Sequence, residues 1–349
     1  MKIAVAMSGG VDSSLTAALL RQEGHEVVGI TMRLFPSADE VPAPVRDAAA
    51  VAQHLGIPHH VADFDTPFGE QVIADFIEQY RCGRTPNPCV RCNRHIKFGL
   101  LLDMARSLGA ERLATGHYVR STRDPDGTCH LKMARNRAKD QSYFLYTLTQ
   151  ERLRQLVFPL GEMESKDEVR RRAREFSLPV AEKSDSQEVC FIPGDDYVAF
   201  LEERAGVNGA RGDVVHVDGR VIGRHAGTHR YTIGQRRGLG IAWSEPLYVT
   251  EIDAARNLIV VGEEHHTYAG GLIAAEMNWI MPPDRSVFTG SCKIRYRHQP
   301  VPCRAEVRDD GSCQVLFETP RKAITPGQAL VFYNGDEVLG GGTIITPLP

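Results

Sequence analysis

Two groups of residues in this sequence have the types and spacing that chemistry requires. The first is the segment Ser8-Gly9-Gly10-Val11-Asp12-Ser13-Ser14, which follows a short apolar run and opens a helical pattern. Backbone amides and the positive end of the helix are then expected to face one place, where an anion binds. Glycines let the backbone approach phosphate oxygens closely, and serine hydroxyls add hydrogen-bond donors. The segment therefore predicts a phosphate-binding loop.

Asp12 distinguishes this loop from a simple phosphate cradle. A carboxylate at this position indicates either a magnesium-related role or a helix-capping role. The loop lacks the Gly-Lys-Ser/Thr ending of a Walker sequence and the third glycine of the dinucleotide fingerprint. The alternative is a glycine-rich turn from strand to helix that binds nothing, but the position, the serines and the aspartate together favour binding.

The second group consists of three cysteines. Cys89 and Cys92 form a Cys-x-x-Cys pair, which we predict to lie in a loop before a helix that begins near Ile96. Positive charge lowers the pKa of a thiol and favours the reactive thiolate. The nearby cationic residues are Arg84, Arg91, Arg94 and Lys97. Cys190 lies far along the chain among apolar residues, where a buried core thiol is the alternative to a reactive one.

A structural zinc ion bound by these cysteines is a further alternative. Such a site needs four ligands, and the chain offers one Cys-x-x-Cys pair with only His95 or Cys190 to complete the set. The other cysteines have no ligand spacing and are predicted to be packing or surface residues: Cys82, Cys129, Cys292, Cys303 and Cys313. Metal, cluster or redox chemistry is therefore expected in preference to a disulfide framework.

The elements that position these residues follow one pattern in the first half of the chain. Short apolar runs alternate with helical patterns, which is typical of a parallel sheet covered on both faces. The predicted strands are 2–7, 26–32, 59–63 and 112–115, and the predicted helices are 13–22, 45–55, 67–80, 96–108, 141–147, 166–176 and 197–204. The fold class is therefore α/β, a doubly wound parallel sheet whose ligand site lies at the carboxyl ends of the strands.

The second half of the chain has a different pattern. After Gly206, glycines become frequent and the strands become short, and three turn signals predict hairpins: Asp218-Gly219, Asp310-Gly311 and Asn334-Gly335. We predict a small β-rich module followed by a C-terminal β-barrel. The predicted domains are 1–205, 206–269 and 270–349.

Length, composition and charge limit the function. A chain of 349 residues predicts two or three domains. Its net charge of -3 excludes a general nucleic-acid binder, so any RNA contact must be local. Three segments are candidates for such a contact: 170–174, 236–237 and 295–298.

No apolar run approaches the length of a membrane span, and the first residues enter a strand instead of a signal peptide. A cytoplasmic location without membrane contact follows.

Several segments spread in order along the chain resemble one family. The phosphate loop resembles that of the ATP pyrophosphatases, which cleave ATP between its α and β phosphates. The other segments are Asn87-Pro88-Cys89-Val90-Arg91-Cys92-Asn93, Ala114-Thr115-Gly116-His117-Tyr118, Lys139-Asp140-Gln141-Ser142-Tyr143-Phe144-Leu145, Val189-Cys190-Phe191-Ile192, His229 to Ile241 and Arg295-Tyr296-Arg297. Together they resemble the tRNA-specific 2-thiouridylases, the MnmA family.

The resemblance implies roles for particular residues. Those expected to bind ATP are Ala6, Met7, Ser8, Gly9, Gly10, Val11, Asp12, Ser13, Ser14, Met32 and Gly116. Those expected to border the target base are Asn87, Pro88 and Cys89. Those expected to contact tRNA are His117, Lys139, Asp140, Gln141, Arg295, Tyr296 and Gln328. Cys92 is expected to be the catalytic nucleophile, and Cys190 is expected to carry a persulfide.

The implied reaction is the 2-thiolation of the wobble uridine of tRNA, with ATP, Mg²⁺ and an upstream persulfide sulfur donor. The uridine C2 oxygen is adenylated and then replaced by sulfur. In the persulfide route, Cys92 then attacks the adduct or closes a disulfide with Cys190.

One residue departs from the family pattern, because many members carry aspartate where this chain has Cys89. A base-catalytic role at that position is therefore in doubt. Cys89, Cys92 and Cys190 are instead possible ligands of a 4Fe-4S cluster with one open iron. Two other functions stay open as well: a small-molecule adenylating ligase or amidotransferase, and a zinc-stabilised RNA-binding protein.

Overall fold

The fold was analysed in a computed structural model that describes residues 1–35, 41–184, 189–192, 194, 196–207 and 209–349. Within these residues the strands are β1 (Lys2–Ala6), β2 (Glu26–Arg33), β3 (His59–Asp63), β4 (Arg112–Ala114), β5 (Val119–Arg123), β6 (Cys129–Met133), β7 (Leu156–Val157), β8 (Gly212–His216), β9 (Val221–His225), β10 (Tyr248–Asp253), β11 (Leu258–Gly262), β12 (Tyr268–Trp279), β13 (Val287–Lys293), β14 (Val301–Val307), β15 (Cys313–Lys322), β16 (Ala329–Asn334) and β17 (Glu337–Leu348).

The α-helices in the same residues are α1 (Val11–Gln22), α2 (Ala43–Leu55), α3 (Asp65–Phe68), α4 (Ala74–Arg81), α5 (Pro88–Arg91), α6 (Leu101–Ser107), α7 (Gln150–Leu153), α8 (Lys166–Glu175) and α9 (Tyr197–Ala199). Wider π-helical turns are Gly69–Ile73, Cys92–Leu100 and Phe200–Arg204, and tighter 3-10 turns are Ser142–Phe144, Pro159–Glu162, Thr228–Arg230 and Glu264–Thr267. Among the described residues, no helix is long and apolar enough to cross a membrane.

The first half forms a five-stranded parallel sheet with the order β3-β2-β1-β4-β7. Successive residues of a strand point to opposite faces, so Val5 packs with Leu15 on one face while Ala4 packs with Leu101 on the other. Both faces are therefore covered by helices. The doubly wound α/β class is confirmed, and the four strands predicted from sequence are all present.

The helix predicted to begin near Ile96 begins eight residues earlier. It starts with α5 at Pro88 and continues through the turn Cys92–Leu100 into α6. Proline suits the first helical position because its fixed φ is already helical and its missing N–H has no partner to lose there. The prediction that Cys89 and Cys92 lie in a loop was therefore wrong, since both lie in helical backbone.

The second half contains two β-structures. Strands β8 to β11 form a four-stranded sheet, and β12 to β17 form a six-stranded barrel that the β12–β17 pairing closes. The three predicted hairpins are confirmed, with the glycines at positive φ: Gly219 at 92°, Gly311 at 78° and Gly335 at 60°. Glycine meets no steric penalty in that region.

A hairpin that the sequence analysis missed connects the two halves. Strands β5 and β6 belong to the first half but extend the barrel sheet, because β6 pairs with β17 at Lys132 and Glu337. The region predicted as helix 141–147 forms only the turn Ser142–Phe144. Tyr143 of this turn donates a hydrogen bond to the Ala329 carbonyl of the barrel at 2.8 Å. The barrel is thus attached directly to the domain that carries the phosphate loop.

Candidate active site

The phosphate loop has a geometry that leaves its helix end open to an anion. Gly10 is the N-cap of α1, and no side chain caps that end. Hydroxyl groups brace the turn: Ser14 donates to the Gly10 carbonyl at 2.8 Å, and Ser13 Oγ accepts from the Ser8 amide at 3.1 Å. The first amides of a helix have no partner inside the helix. They can therefore bind phosphate oxygens here.

Met32 and Gly116, two of the residues predicted to bind ATP, lie at the carboxyl ends of β2 and β4, the strands on either side of β1. Met32 is near the end of β2, and Gly116 follows β4. A β-carbon at Gly116 would lie 2.9 Å from the Ser13 amide nitrogen, so only glycine lets this backbone pack against the start of α1. The position agrees with the rule that ligands of doubly wound sheets bind beyond the carboxyl ends of the strands.

Asp12 does not cap α1. Its Oδ1 accepts hydrogen bonds from Tyr118 Oη at 2.6 Å and from Lys166 Nζ at 2.7 Å, and its Oδ2 lies 2.9 Å from the same Nζ. The expected capping role was therefore wrong. Instead, Asp12 holds a partly buried ammonium group beside the phosphate loop.

A second lysine also contacts the loop. Lys183 Nζ donates to the Gly9 carbonyl at 3.0 Å and forms an ion pair with Asp47. Lys183 begins the segment that leads to Cys190. The residues Asp185 to Glu188, which directly precede the segment Val189 to Ile192, lie outside the described part of the chain.

The three cysteines predicted to act together lie near one another. Cys92 is buried and packs in an apolar cluster with Phe191, the residue that follows Cys190. Cys89 and Cys190 are exposed. Cys89 and Cys92 both affect the ionisation of Cys190 electrostatically, which places the three groups within interaction range. The fold therefore brings Cys190 close to Cys89 and Cys92, although almost a hundred residues separate them in the sequence.

The thiols are less acidic than the sequence analysis expected. Desolvation raises the pKa of Cys89 and of Cys92, and desolvation followed by repulsion from the other two thiols raises the pKa of Cys190 to about 12. Cys89 and Cys190 are open to solvent, yet surrounding protein atoms still remove much of their hydration. All eight cysteines are free thiols in this conformation, including the expected Cys92–Cys190 pair. The resting thiols are thus protonated at neutral pH.

Lys97 is the cation that opposes the rise in the pKa of the three thiols. Its charge lowers the pKa of Cys89, Cys92 and Cys190, and it also lowers that of His117, which follows Gly116. Met32 packs against the same apolar cluster as Cys92. The phosphate loop and the thiols are therefore connected through the ends of β2 and β4.

The spacing of the thiols does not suit a single zinc ion. Tetrahedral zinc with bonds of about 2.3 Å holds its sulfur ligands roughly 3.8 Å apart. Among the described residues, these three thiols do not form a group of ligand atoms within 4.8 Å of one another. An iron-sulfur cluster binds each thiolate to a different iron and so accepts wider spacing.

Aromatic rings border the site on the barrel side. The ring centres of Tyr296 and Phe144 are 4.4 Å apart, and Tyr296 interacts electrostatically with Cys89. Both rings are partly exposed. Such rings provide a surface on which an unstacked base can stack.

The barrel also holds the segment that precedes Asn87 and Pro88. Gln328 Nε2 donates to the carbonyl oxygens of Thr85 at 3.0 Å and of Pro86 at 3.3 Å. The Thr85 amide donates to the Pro326 carbonyl at 2.9 Å. The orientation of this segment therefore depends on the barrel.

Family models match the chain in three parts. They are the tRNA methyl transferase HUP domain over residues 1–194, the tRNA methyl transferase PRC-barrel domain over 198–263 and the aminomethyltransferase beta-barrel domain over 269–344. The chain is 66% identical over 345 residues to the tRNA-specific 2-thiouridylase MnmA of Pelobacter propionicus, covering 99% of this chain and 97% of that protein. It is 63% identical over 344 residues to the tRNA-specific 2-thiouridylase MnmA of Trichlorobacter lovleyi, with 98% and 97% covered. The chain belongs to the tRNA-specific 2-thiouridylase family.

In this member of the 2-thiouridylase family, the residues predicted to contact tRNA differ in their surroundings. Asp140 is buried and accepts hydrogen bonds from the Ala134 amide at 2.9 Å and the Ser142 hydroxyl at 2.8 Å. His117 is also buried, and its Nδ1 lies 2.7 Å from the Thr115 hydroxyl. Both side chains stabilise the protein itself, so their contact with RNA stays a prediction.

The other predicted tRNA residues of this 2-thiouridylase are more accessible. Lys139, Gln141 and Arg295 are partly exposed. Gln141 Oε1 accepts from the Tyr118 amide at 3.0 Å, and Arg295 donates to the Ala323 carbonyl at 2.7 Å.

Sequence reasoning missed Lys166 and Lys183, whose side chains contact the phosphate loop. Lys166 is the first residue of α8, after the N-cap Ser165. Its pairing with Asp12 spans more than 150 positions, and no local pattern indicates such a pairing. Lys97 was noted only as one of several cations.

Proposed function

We propose that this chain catalyses the ATP-dependent 2-thiolation of the wobble uridine of tRNA, giving 2-thiouridine, AMP and pyrophosphate. Its similarity to members of the tRNA-specific 2-thiouridylase family extends over nearly the whole chain. The observation that carries the proposal is that Gly116 packs on the start of α1, while Lys97 acts electrostatically on the next residue, His117, and on all three thiols.

The first step would activate the uridine. The base leaves the stack of the anticodon loop, and its C2 oxygen attacks the α-phosphorus of ATP, so that an O–P bond forms and pyrophosphate departs. Residues 6–14, Met32 and Gly116 would bind ATP, and the loop amides would stabilise the developing negative charge. Mg²⁺ would accompany the phosphates. Lys166 would turn from Asp12 toward a phosphate oxygen, which frees the Asp12 carboxylate for the cation.

The second step would replace the activated oxygen with sulfur. The terminal sulfur of a persulfide on Cys190 attacks C2, and AMP departs with the former C2 oxygen. The Cys92 thiolate then attacks the Cys190 sulfur and breaks its bond to the transferred atom. This leaves 2-thiouridine and a Cys92–Cys190 disulfide, which an external thiol reductant must reopen. The persulfide itself comes from an upstream donor.

Cys89, Cys92 and Cys190 also suit three-thiolate binding of a 4Fe-4S cluster. A cluster with one open iron would supply sulfide for transfer to carbon. Desolvation keeps these thiols protonated at neutral pH, so cluster binding would release their protons. Cys89 replaces the aspartate of many family members, and this departure from the family pattern favours a ligand role for it over base catalysis.

We assign tRNA recognition to surfaces near the site and on the barrel. Asn87, Pro88 and Cys89 would border the target base, and Tyr296 would stack on it. Contacts of the tRNA would come from His117, Lys139, Asp140, Gln141 and Arg295. Gln328 would either contact the tRNA or position the segment before Asn87, to which it already donates hydrogen bonds. In this proposal domain 1–205 carries the chemistry, 206–269 connects, and 270–349 contacts tRNA.

The test is to measure AMP, pyrophosphate and 2-thiouridine with tRNA present, with tRNA absent, and with tRNA whose wobble uridine is replaced by cytidine. We expect all three products only with the uridine-containing tRNA. Cys190→Ser should abolish 2-thiouridine and retain most AMP formation. Cys82→Ser, which changes an exposed cysteine outside the trio, should retain both activities.

Two results would contradict the proposal. ATP turnover that does not depend on tRNA would indicate a small-molecule adenylating ligase. A fully active Cys190→Ser protein would exclude both sulfur routes. Iron, sulfide and zinc determination after anaerobic purification separates the routes, because the cluster requires iron with acid-labile sulfide. Retained activity of Cys89→Asp without iron would exclude the cluster.

A further inference from the structure

A second group of metal-ligating side chains lies where the central sheet meets the barrel, and it includes none of the three thiols. It consists of Glu263, His265 and His266, whose ligand atoms all lie within 4.8 Å of one another. Glu263 directly follows β11, and the turn Glu264–Thr267 leads into β12. The three residues therefore occupy the covalent joint between two β-structures.

The two histidines of this group are held together. Their rings have centres 3.8 Å apart with an interplanar angle of 38°, and both side chains are exposed. His266 Nδ1 lies 3.3 Å from Glu263 Oε2. The side chain of His265 makes no hydrogen bond or ion pair with any residue that the structure describes. Its ring nitrogens are therefore available to a ligand from solution.

The spacing fits a transition-metal ion. Zinc binds imidazole nitrogen and carboxylate oxygen at about 2.0–2.2 Å, which places two tetrahedral ligands roughly 3.3 Å apart. The distance between His266 Nδ1 and Glu263 Oε2 matches this value. Imidazole ligands also favour zinc and its neighbours over magnesium or calcium, which prefer oxygen.

Surrounding groups orient the carboxylate. Trp243 Nε1 donates to Glu263 Oε1 at 2.9 Å, and His216 Nε2 lies 3.2 Å from Glu263 Oε2. Such outer hydrogen bonds fix the ligands of metal sites. A β-carbon at Gly262 would lie 3.0 Å from His266 Nδ1, so glycine at this position lets the imidazole pack close to the strand.

We propose that Glu263, His265 and His266 form a binding site for one zinc ion, with water completing the coordination. The ion would link the end of β11 to the turn before β12. That turn already contacts the barrel, because the Ala323 amide donates to the Thr267 carbonyl at 2.7 Å. Zinc would therefore brace the central sheet against the barrel.

The test uses the full chain with Cys89, Cys92 and Cys190 replaced by serine, so that zinc on the thiols does not contribute. Chelator-treated protein is titrated with zinc alone by calorimetry, and the bound ion is studied by X-ray absorption. We expect one equivalent with nitrogen and oxygen ligands and no sulfur. Addition of zinc should also raise the Tm of the protein, because zinc binds the folded chain.

Variants show whether these residues hold the ion. The His265→Ala/His266→Ala double variant should no longer bind the one equivalent of zinc. His60→Ala, which removes an exposed histidine elsewhere, should still bind it. Trp243→Phe should weaken binding roughly 10-fold, the lower end of the effect of outer-shell changes.

Three results would overturn the proposal: no zinc bound by the parent, sulfur among the ligands, or the same stoichiometry and affinity in the double variant. The last result would mean an adventitious ion only. If the double variant fails to fold, His265→Gln replaces it with the same expectation, since His265 has no polar partner to lose.

Discussion

At the scale of single residues, the three thiols have raised pKa values, and one nearby cation, Lys97, acts to lower them. Desolvation by surrounding protein atoms raises the pKa of each of Cys89, Cys92 and Cys190, while the charge of Lys97 lowers it. A protonated thiol is a poor nucleophile. Sulfur chemistry therefore depends on conditions that form the thiolate, and Lys97 is the charge already present to stabilise it.

Lys97→Met should make the thiols less reactive. Loss of a nearby positive charge raises their pKa further, and one unit of pKa lowers the thiolate fraction about tenfold. The measurement is the rate of iodoacetamide modification of Cys89 and Cys190 as a function of pH, read by mass spectrometry. The matched control is Lys132→Met, which removes a lysine of β6. Unchanged pH profiles in Lys97→Met would show that its charge does not act on the thiols.

Lys166→Met should weaken ATP binding. Lys166 is held by Asp12 beside the phosphate loop, and a hydrogen bond to a charged group contributes about 1.5–3 kcal/mol. We expect the KM for ATP in pyrophosphate release to rise about tenfold or more, with Lys166→Arg recovering part of the loss. A purely structural lysine would instead lower the Tm and leave the KM unchanged.

At the scale of elements, the β5–β6 hairpin is fastened to the barrel by a histidine between two carboxylates. His130 Nδ1 lies 2.5 Å from Glu337 Oε1, and its Nε2 lies 2.9 Å from Asp124 Oδ2. Hydrogen bonds to Glu337 and Asp124 raise the pKa of His130. Both partners favour the protonated imidazole, so the attachment of this element depends on pH.

His130→Gln should reduce the dependence of stability on pH. Because the pKa of His130 is raised in the folded state, its contribution is fully present below the unfolded pKa of about 6.5 and is lost as pH rises through the folded value. We expect wild type to exceed the variant by about 1 kcal/mol in unfolding free energy at pH 6, with a smaller difference at pH 9. Urea unfolding at both values measures this, and an equal difference at both would contradict it.

The elements also show what the sequence could predict. Four of the five strands of the parallel sheet, all except β7, and the hairpins at Asp218-Gly219 and Asn334-Gly335 followed from local patterns, since apolar runs and turn residues act over a few positions. The pairing of β6 with β17 did not, because it joins residues about two hundred positions apart. The early helix start at Pro88 was missed because Pro86 and Pro88 together favoured a loop.

The candidate site likewise contains parts that local sequence predicts and parts that depend on long-range packing. The phosphate loop is contiguous and could be located from its own residues. The Cys-x-x-Cys pair was visible in the sequence, but its joint action with Cys190 was inferred only through the family resemblance, and Lys166 was not found at all. Its role depends on the packing of α8 beside α1, which no short motif encodes.

At the scale of the whole molecule, the segment Pro326 to Gln328 of the barrel contacts the chain just before the cysteine pair. Gln328 donates to the Thr85 and Pro86 carbonyls, directly before the residues that would border the base. Gly327 has a φ of 91°, and a β-carbon there would lie 2.8 Å from the Thr85 carbonyl oxygen. Close approach of the two backbones therefore requires glycine at this position.

Gln328→Leu separates two roles of this residue. If Gln328 positions the segment before Cys89, losing two hydrogen bonds of about 0.5–1.5 kcal/mol each should lower kcat for thiolation about tenfold and leave the Kd for tRNA unchanged. If it contacts tRNA instead, the Kd should rise while kcat stays the same. Filter binding and single-turnover thiolation measure the two quantities, with Gln53→Leu on the exposed face of α2 as control. The existing contacts of the side chain with Thr85 and Pro86 favour the first outcome, because bonds already made within the protein would have to break before Gln328 could bind RNA.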